Sequence, residues 1–438
     1  MNLTVIRKAK PSIIACLIAS MLILNTINIS TKFVGARAKI DKNQTVSCGV
    51  IYKNFGAMGV VINASEFSGA NDTERLQAAF NAVPPSGGTV IISGIWEACG
   101  LKAKSNTVIL GVNGVIHHPQ NRTNPFITFE NETNFAILNM TFNGDGVDVA
   151  QGILIVDCKN FIIQNNNFLN IKRNALKICT SVDGQSKNFT IKCNAFINCN
   201  DAPILVFGVP SKRNIYNFTI FNNLIFNGTL NGKIGIAFLT SGFIINNTIV
   251  NCEHGIATRC ISNLTIIGNV VRNCEGYGIY IGTQVGDNGS ENIRIYGNIL
   301  ENCSIGIARY YGTYTVKDVQ IENNLFVNNR IYDVVADFPA IYINNTLTSK
   351  EKLVILDLQA FFFKTKTIIN GVIMLGDINS DLKIDIIDIA IIASLFGCRK
   401  GFTCWIDDAD VIKDEIIDIK DVSYVSRFFG RQETEIFE

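Results

Sequence analysis

Three stretches decide the fold: Asn247-Thr-Ile-Val-Asn251-Cys252, Asn269-Val-Val-Arg-Asn273-Cys274 and Asn298-Ile-Leu-Glu-Asn302-Cys303. They are copies of one unit. The Asn-x-x-x-Asn pattern also occurs at Asn139/Asn143, Asn166/Asn170, Asn194/Asn198, Asn223/Asn227 and Asn324/Asn328, in steps of 22 to 29 residues. A fixed period of that size is the mark of a repeat architecture. Each unit holds short β-branched or aromatic runs, such as Leu264-Thr-Ile-Ile, Val270-Val and Gly278-Ile-Tyr-Ile, separated by Asn and Gly turn residues. Three short strands per unit make one coil of a solenoid. The second Asn of each motif is expected to stack on its counterparts, amide to amide, because a buried amide is costly unless paired.

The residue after that second Asn is Cys199, Cys252, Cys274 or Cys303 in four coils. This reads as a stack of reduced, buried packing residues, since whole-coil spacing does not give the tetrahedral geometry zinc requires. A solenoid must also be capped. Asn71-Asp-Thr-Glu74 is a capping box opening a helix to about Val83, followed by a Pro84-Pro-Ser-Gly-Gly turn and the strand Thr89-Val-Ile-Ile.

Asn54-Phe-Gly-Ala, the Asn71-Asp-Thr helix, Gly87-Gly-Thr-Val-Ile-Ile and Ser105-Asn-Thr-Val-Ile-Leu resemble the opening of pectate-lyase-superfamily proteins. The resemblance covers roughly Lys53 to Asn345 and implies a mainly β fold, a right-handed parallel β-helix with an N-terminal capping helix. Polysaccharide lyases, polygalacturonases, epimerases, phage tailspikes and proteins without activity share such coils, so the scaffold alone does not give the chemistry.

The 438-residue chain carries a net charge of +1, and nothing in it resembles a nucleic-acid patch. A basic start (Arg7, Lys8, Lys10), an apolar run from Ile13 to Leu24 and Ala36-Arg37-Ala38 read as a secretory signal over residues 1–38. Export to the extracellular space is then expected, with no membrane span after cleavage. An uncleaved N-terminal anchor is the other reading of that run. Leu353 to Leu375 is broken by Asp357, Lys364 and Lys366. Dense Asn-x-Ser/Thr triplets, such as Asn188-Phe-Thr and Asn263-Leu-Thr, suit a glycoprotein, although an Asn-rich β repeat also generates them. The expected organisation is a β-helix over 39–348, with 53–128 as cap and first coils and 129–348 as Asn-rich coils. A connecting segment at 349–375, a small all-α module at 376–431 and a tail at 432–438 follow.

In folds of this kind a polysaccharide lies along the outer face of one sheet, so the outward residues of the Gly-Ile-x-x strand are the site candidates. In order they read Lys177, Asp201 with Phe207, Lys233, His254 with Arg259, Tyr280, and Arg309 with Tyr310 and Tyr311. His254-Gly255-Ile256 matches the polygalacturonase His-Gly-Ile element. The paired aspartates of that family are absent, however, because the preceding coil reads Gly232-Lys-Ile-Gly-Ile-Ala, and its Arg-Ile-Lys is replaced by Tyr280-Ile-Gly. Glycoside hydrolysis needs two carboxylates flanking the scissile bond. A lyase needs instead a cation for the uronate carboxylate and a base for the proton beside it. His254, Arg259, Tyr280 and Arg309 are therefore the candidate catalytic set, and an acidic polysaccharide the candidate ligand. The competing class is a non-catalytic surface or adhesion protein. Asp145, Asp148 and Asp157 form an early acidic group in which Gly-Asp-Gly reads as a turn, and His117-His118 before Pro119 reads likewise.

From Gly376 onward 14 acidic residues face 7 basic ones. Asp377, Asn379, Asp381, Asp385 and Asp388 occupy positions 1, 3, 5, 9 and 12 of a calcium loop, with the Lys383 carbonyl at 7. A second copy places Asp410, Asp414, Ile416 (carbonyl), Asp418 and Asp421 at 1, 5, 7, 9 and 12, with Ile412 at 3. Loop and helix, duplicated, with Asp at position 12, resemble a dockerin module, which implies calcium and a cohesin-like or cell-surface partner. Leu382 and Glu415 stand where glycine is expected, so one working calcium site and a weak second one are anticipated. The resemblance places the partner-choice positions at Ile386-Ile387 and Ile419-Lys420, which are not the usual Ser/Thr pair, so a partner other than a typical cohesin or an intramolecular packing role stays open; Cys398 with Cys404 is the expected disulfide.

Overall fold

The computed structural model describes residues 59–347 apart from short internal segments, 353–355, 368–369, 383–384, and much of 386–432. The signal segment, Asp148, Tyr311 and the loop residues Asp377, Asn379, Asp381 and Asp385 lie outside the described residues.

Residues 59–347 form a solenoid in which every inter-strand pairing is parallel. One coil shows the plan: Gln151–Val156, Lys159–Gln164 and Asn167–Leu169. Each pairs with its counterpart in the next coil, Asn174–Cys179, Ser186–Lys192 and Ala195–Ile197. Three stacks of strands result. The first contains Gln151–Val156, Asn174–Cys179, Ile204–Phe207, Ile234–Leu239, the start of Ile256–Ile267, Tyr277–Gly282 and Ile305–Tyr310.

Inward positions alternate with outward ones, and the inward rows repeat residue types from coil to coil. Phe135, Phe161, Phe189 and Phe218 stack with ring centroids 4.7 to 5.3 Å apart. Phe142, Phe168 and Phe196 form a second file. These spacings match the ~4.8 Å distance between paired strands, so coil stacking and ring stacking share one period.

The buried amide ladder is built from the first Asn of the motif, not the second. Asn166, Asn194, Asn223, Asn247, Asn269, Asn298, Asn324 and Asn345 each have at most 2% of their surface exposed. Each Nδ2 up to Asn324 donates to the next Oδ1 at 2.9 to 3.0 Å. It also donates to a carbonyl of the preceding coil, as Asn247 does to Ile220. The second Asn also stacks, Asn198 on Asn170 and Asn273 on Asn251 at 3.1 Å, but at the surface and with φ near +55°. Asparagine suits that corner because its short side chain tolerates the left-handed region. The Asn139/Asn143 copy is one residue out of step, since Thr141 pairs with Asn167 and Met140 takes the ladder position opposite Asn166.

A third ladder runs Asn106, Asn134, Asn160, Asn188 and Asn217, again at positive φ. It explains the triplets at 188 and 217: ladder Asn, core Phe, outward Thr. Their Nδ2 atoms already donate to the coil before.

Cys199, Cys252, Cys274 and Cys303 are buried and free. Burial pushes the Cys199 thiol up to about 12 and that of Cys252 to about 11, which makes them poor nucleophiles. The capping helix spans Asp72–Asn81; Asn71 accepts from the Glu74 N–H at 3.0 Å, and Glu74 accepts in return from Ala70. Leu76, Ala79 and Phe80 face the first coil.

The C-terminal segment has a separate small core of Ile392, Cys398, Ala409, Val411, Ile417, Tyr424 and Val425. It contains helices Ile386–Ser394 and Ile419–Ser426, a two-stranded antiparallel pair (Lys383–Ile384 with Arg431–Gln432) and the disulfide Cys398–Cys404. Among the described residues no helix is long and apolar enough to cross a membrane.

Candidate functional site

Register decides which side chains the first stack turns outward. One outward row is Leu205, Gly235, Ala257, Tyr280 and Ala308; the next is Phe207, Ala237, Arg259 and Gly282. Arg259 and Tyr280 thus occupy neighbouring outward rows, as expected. Arg309 does not. It pairs with Ile281, which pairs with Thr258, and both of those are fully buried. Gly278-Ile279-Tyr280 aligns with Gly306-Ile307-Ala308, so the outward counterpart of Tyr280 is Ala308 and Arg309 falls on the inward register. The sequence reading set the outward row one residue late in that coil.

His254 stands at the head of this face, just before the strand Ile256–Ile267. Its Nδ1 accepts the Tyr277 backbone N–H at 3.1 Å, and its Nε2 lies 3.5 Å from Glu253 Oε1. Nδ1 is thereby committed as an acceptor, so the neutral ring carries its proton on Nε2. The imidazole stacks on Tyr277 (centroids 5.6 Å) and meets Tyr280 edge-on (5.4 Å). A Cβ on Gly276 would come within 2.4 Å of Cε1 and Nδ1, so glycine there makes room for the ring. Burial, with the Lys233 charge second, holds His254 below its ordinary value, opposed by Glu253.

Lys233 is the residue the sequence underweighted. Burial lowers its ammonium below the ordinary lysine value; Asp201 and Glu253 oppose that shift, and Arg259 reinforces it. Asp201, Lys233, Glu253, His254 and Arg259 therefore form one electrostatic cluster. Asp201 and Glu253 stand two coils apart, roughly 10 Å along the axis, and both act on Lys233. Such an arrangement is not the ~5.5 Å pair of a retaining hydrolase. Sequence displayed Lys233 in the outward series, but its neighbours come from three coils, and only register brings them together. The face is partly roofed: Ala257, Tyr280 and Ala308 are buried, whereas Phe207 is 37% exposed and Lys177 half-buried.

The early acidic residues are engaged elsewhere. Asp145 (φ +50°) pairs with His117, and Asp157 (φ +55°) accepts from the Ser181 N–H at 3.0 Å.

In the second C-terminal loop Asp410 and Asp421 are buried, and each accepts two loop N–H groups. Asp410 takes those of Asp414 and Glu415, and Asp421 those of Ile412 and Asp418. Lys420 Nζ lies 2.7 Å from Asp414 and 3.8 Å from Asp418, so positions 5 and 9 already face a cation. Among the described residues no three His, Cys, Asp or Glu side chains are grouped to hold a metal. Of the first loop, Lys383 and Asp388 are described, Asp388 fully buried at the start of its helix.

Residues 211–348 match the family described as "Right handed beta helix region". The fold is a right-handed parallel β-helix. Its solved likenesses are distant in sequence. The β-helix resembles an exopolygalacturonase from Thermotoga maritima at TM-score 0.50 and 13% identity, over 68% of this chain and 89% of that one. It resembles PfbA, a surface adhesin of Streptococcus pneumoniae, at 0.52 and 15%, over 68% and 88%. A tailspike protein of E. coli bacteriophage HK620, in complex with a hexasaccharide, gives 0.56 and 14%, over 70% and 63%. At these identities the likeness is one of fold. No curated protein matches the sequence.

Proposed function

We propose that this chain is a secreted β-helix that binds an acidic polysaccharide along its first stack and cleaves it as a polyuronate lyase. The supporting observation is a half-buried Lys233, its ammonium held below the ordinary lysine value by burial, in one electrostatic cluster with the cation Arg259 and the Nε2–H donor of His254. In this reading Arg259 holds the uronate carboxylate by charge-assisted hydrogen bonds. The Lys233 amine takes the proton from the carbon beside that carboxylate, and Tyr280 gives its hydroxyl proton to the departing glycosidic oxygen. His254, its lone pair already used, acts as a donor rather than as the base. Arg309 has no part in the reaction.

The test is incubation with pectate, alginate and other polyuronates, following the ultraviolet absorbance of unsaturated products. Lys233→Arg keeps the charge and removes the base, so product formation should fall about 10²-fold or more. Arg259→Ala should chiefly raise KM. Folded protein that is silent across the panel overturns the lyase.

A second reading, a non-catalytic glycosylated surface or adhesion protein, is supported by the roofed outward row at Ala257, Tyr280 and Ala308. In that case the open residues Lys177 and Phe207 would bind a chain without cutting it.

We further propose that the C-terminal module is dockerin-like and tethers the β-helix to a cohesin-like or cell-surface protein. Calcium would be held in the first loop by Asp377, Asn379, Asp381, the Lys383 carbonyl, Asp385 and Asp388. The second loop lacks a side-chain oxygen at Ile412 and has Lys420 against two of its carboxylates. Titration calorimetry should show one tight site; two tight sites would refute this.

A further inference from the structure

The chain has three histidines, and they differ in which ring nitrogen is left to accept a proton. His118 is buried with both nitrogens against carbonyl oxygens, Pro119 at 3.0 Å and Asn124 at 2.8 Å. His254 has committed Nδ1 to the Tyr277 N–H. His117 is arranged the other way round. Its Nδ1 lies 2.6 Å from Asp145 Oδ2, with the two side chains 34% and 33% exposed. A carboxylate can only accept, so Nδ1 carries the proton, and the Nε2 lone pair has no partner among the described residues. Of the three, His117 alone is built as a general base.

Register supplies its surroundings. His117 lies between Glu97 and Asn143 on adjacent coils, and the next outward row is Ile95, Val115 and Thr141. Trp96, Ile116 and Phe142 between them are buried, so the named rows face out. Ile95 is 77% exposed and forms, with Val115, an apolar rest beside the base. Asn143 Oδ1 accepts from the Asp145 N–H and from Asn170, each at 3.1 Å, which fixes the amide and leaves its Nδ2 hydrogens unused among the described residues.

We propose that His117 and Asp145 form a hydrolytic dyad, separate from the first-stack site, that cleaves carboxylic esters with a short apolar acyl group. Water gives a proton to His117 Nε2 as its oxygen bonds to the acyl carbon, and the Asn143 amide donates to the carbonyl oxygen as charge develops there. The ester C–O bond then breaks, and the leaving alcohol oxygen takes the proton from Nε2. The products are an alcohol and a carboxylic acid, which ionises. Asp145 is a positioning residue that holds the tautomer. The Glu97 and Asp145 carboxylates disfavour an anionic acyl group.

The test uses the full chain with p-nitrophenyl acetate as probe. His117→Gln should lower kcat/KM by about 10²-fold and Asp145→Ala by about tenfold or more, with circular dichroism unchanged. Long-range 1H–15N correlation of the imidazoles gives a readout independent of turnover. His117 should show Nδ1 protonated and Nε2 bare, and His254 the reverse. Wild-type rates in both variants, or a neutral His117 protonated on Nε2, would overturn the proposal.

Discussion

At the scale of single residues, Gly276 and His254 depend on each other. A Cβ at 276 would sit 2.4 Å from the imidazole, so Gly276→Ala must turn the ring away and break the Tyr277 hydrogen bond. The expected cost is about 1–3 kcal/mol, read as a fall in the urea midpoint. The nuclear magnetic resonance signature of Nδ1 as acceptor should vanish with it. A pH effect follows from the same ring. Burial and Lys233 hold His254 below its ordinary value of 6.5, so as pH falls the unfolded chain takes up the proton first. Stability is therefore complete above about 6.5 and is lost as pH falls towards the lowered folded value. His254→Gln should flatten that limb of the stability curve, and an unchanged limb would mean the ring titrates as if exposed. Sequence named His254, Arg259 and Tyr280 because residue type and the Gly-Ile spacing point outward. It misplaced Arg309, since a one-residue slip in a period-two strand exchanges inside for outside. Lys233 was visible as a residue but not as a perturbed one, because its desolvation depends on three coils at once.

At the scale of elements, the two ladders built by the Asn-x-x-x-Asn motif should differ in worth. Asn247→Ala removes the acceptor for the Asn223 backbone and side-chain donors and the donors to Ile220 and Asn269, all of them buried. Stranding so many buried partners should cost about 3–5 kcal/mol. Asn273→Ala at the surface corner loses two exposed amide bonds, one donated to Asn251 and one accepted from Asn302, and puts alanine at φ +54°, for about 1–2 kcal/mol. Equal midpoint shifts in equilibrium denaturation would contradict the assignment of the first Asn to the interior. The repeat itself was plain in the sequence, since turn residues and β-branched runs recur together. Which of its two asparagines is buried was not, because both positions stack and both carry the same residue. Only the path of the chain through the corner, with the second Asn at positive φ, turns one amide in and leaves the other in solvent.

At the scale of the molecule, a solenoid is stabilised coil against coil, while the C-terminal segment has, among its described residues, a hydrophobic cluster of seven and a disulfide of its own. The capping helix was legible to within two residues, because Asn71 and Glu74 state its start chemically. Two separate hydrophobic cores predict a separable response. Cys398 and Cys404 enclose a very short loop, and replacing both with serine should remove about 2 kcal/mol from the small unit alone. Scanning calorimetry of the full chain should then show the smaller transition moving down while the larger keeps its midpoint. Asn247→Ala should produce the converse, lowering the larger transition and sparing the smaller. If either substitution moved both transitions together, the small core would be folding as part of the solenoid. The C-terminal segment would then be its terminal cap rather than a module able to act as a tether.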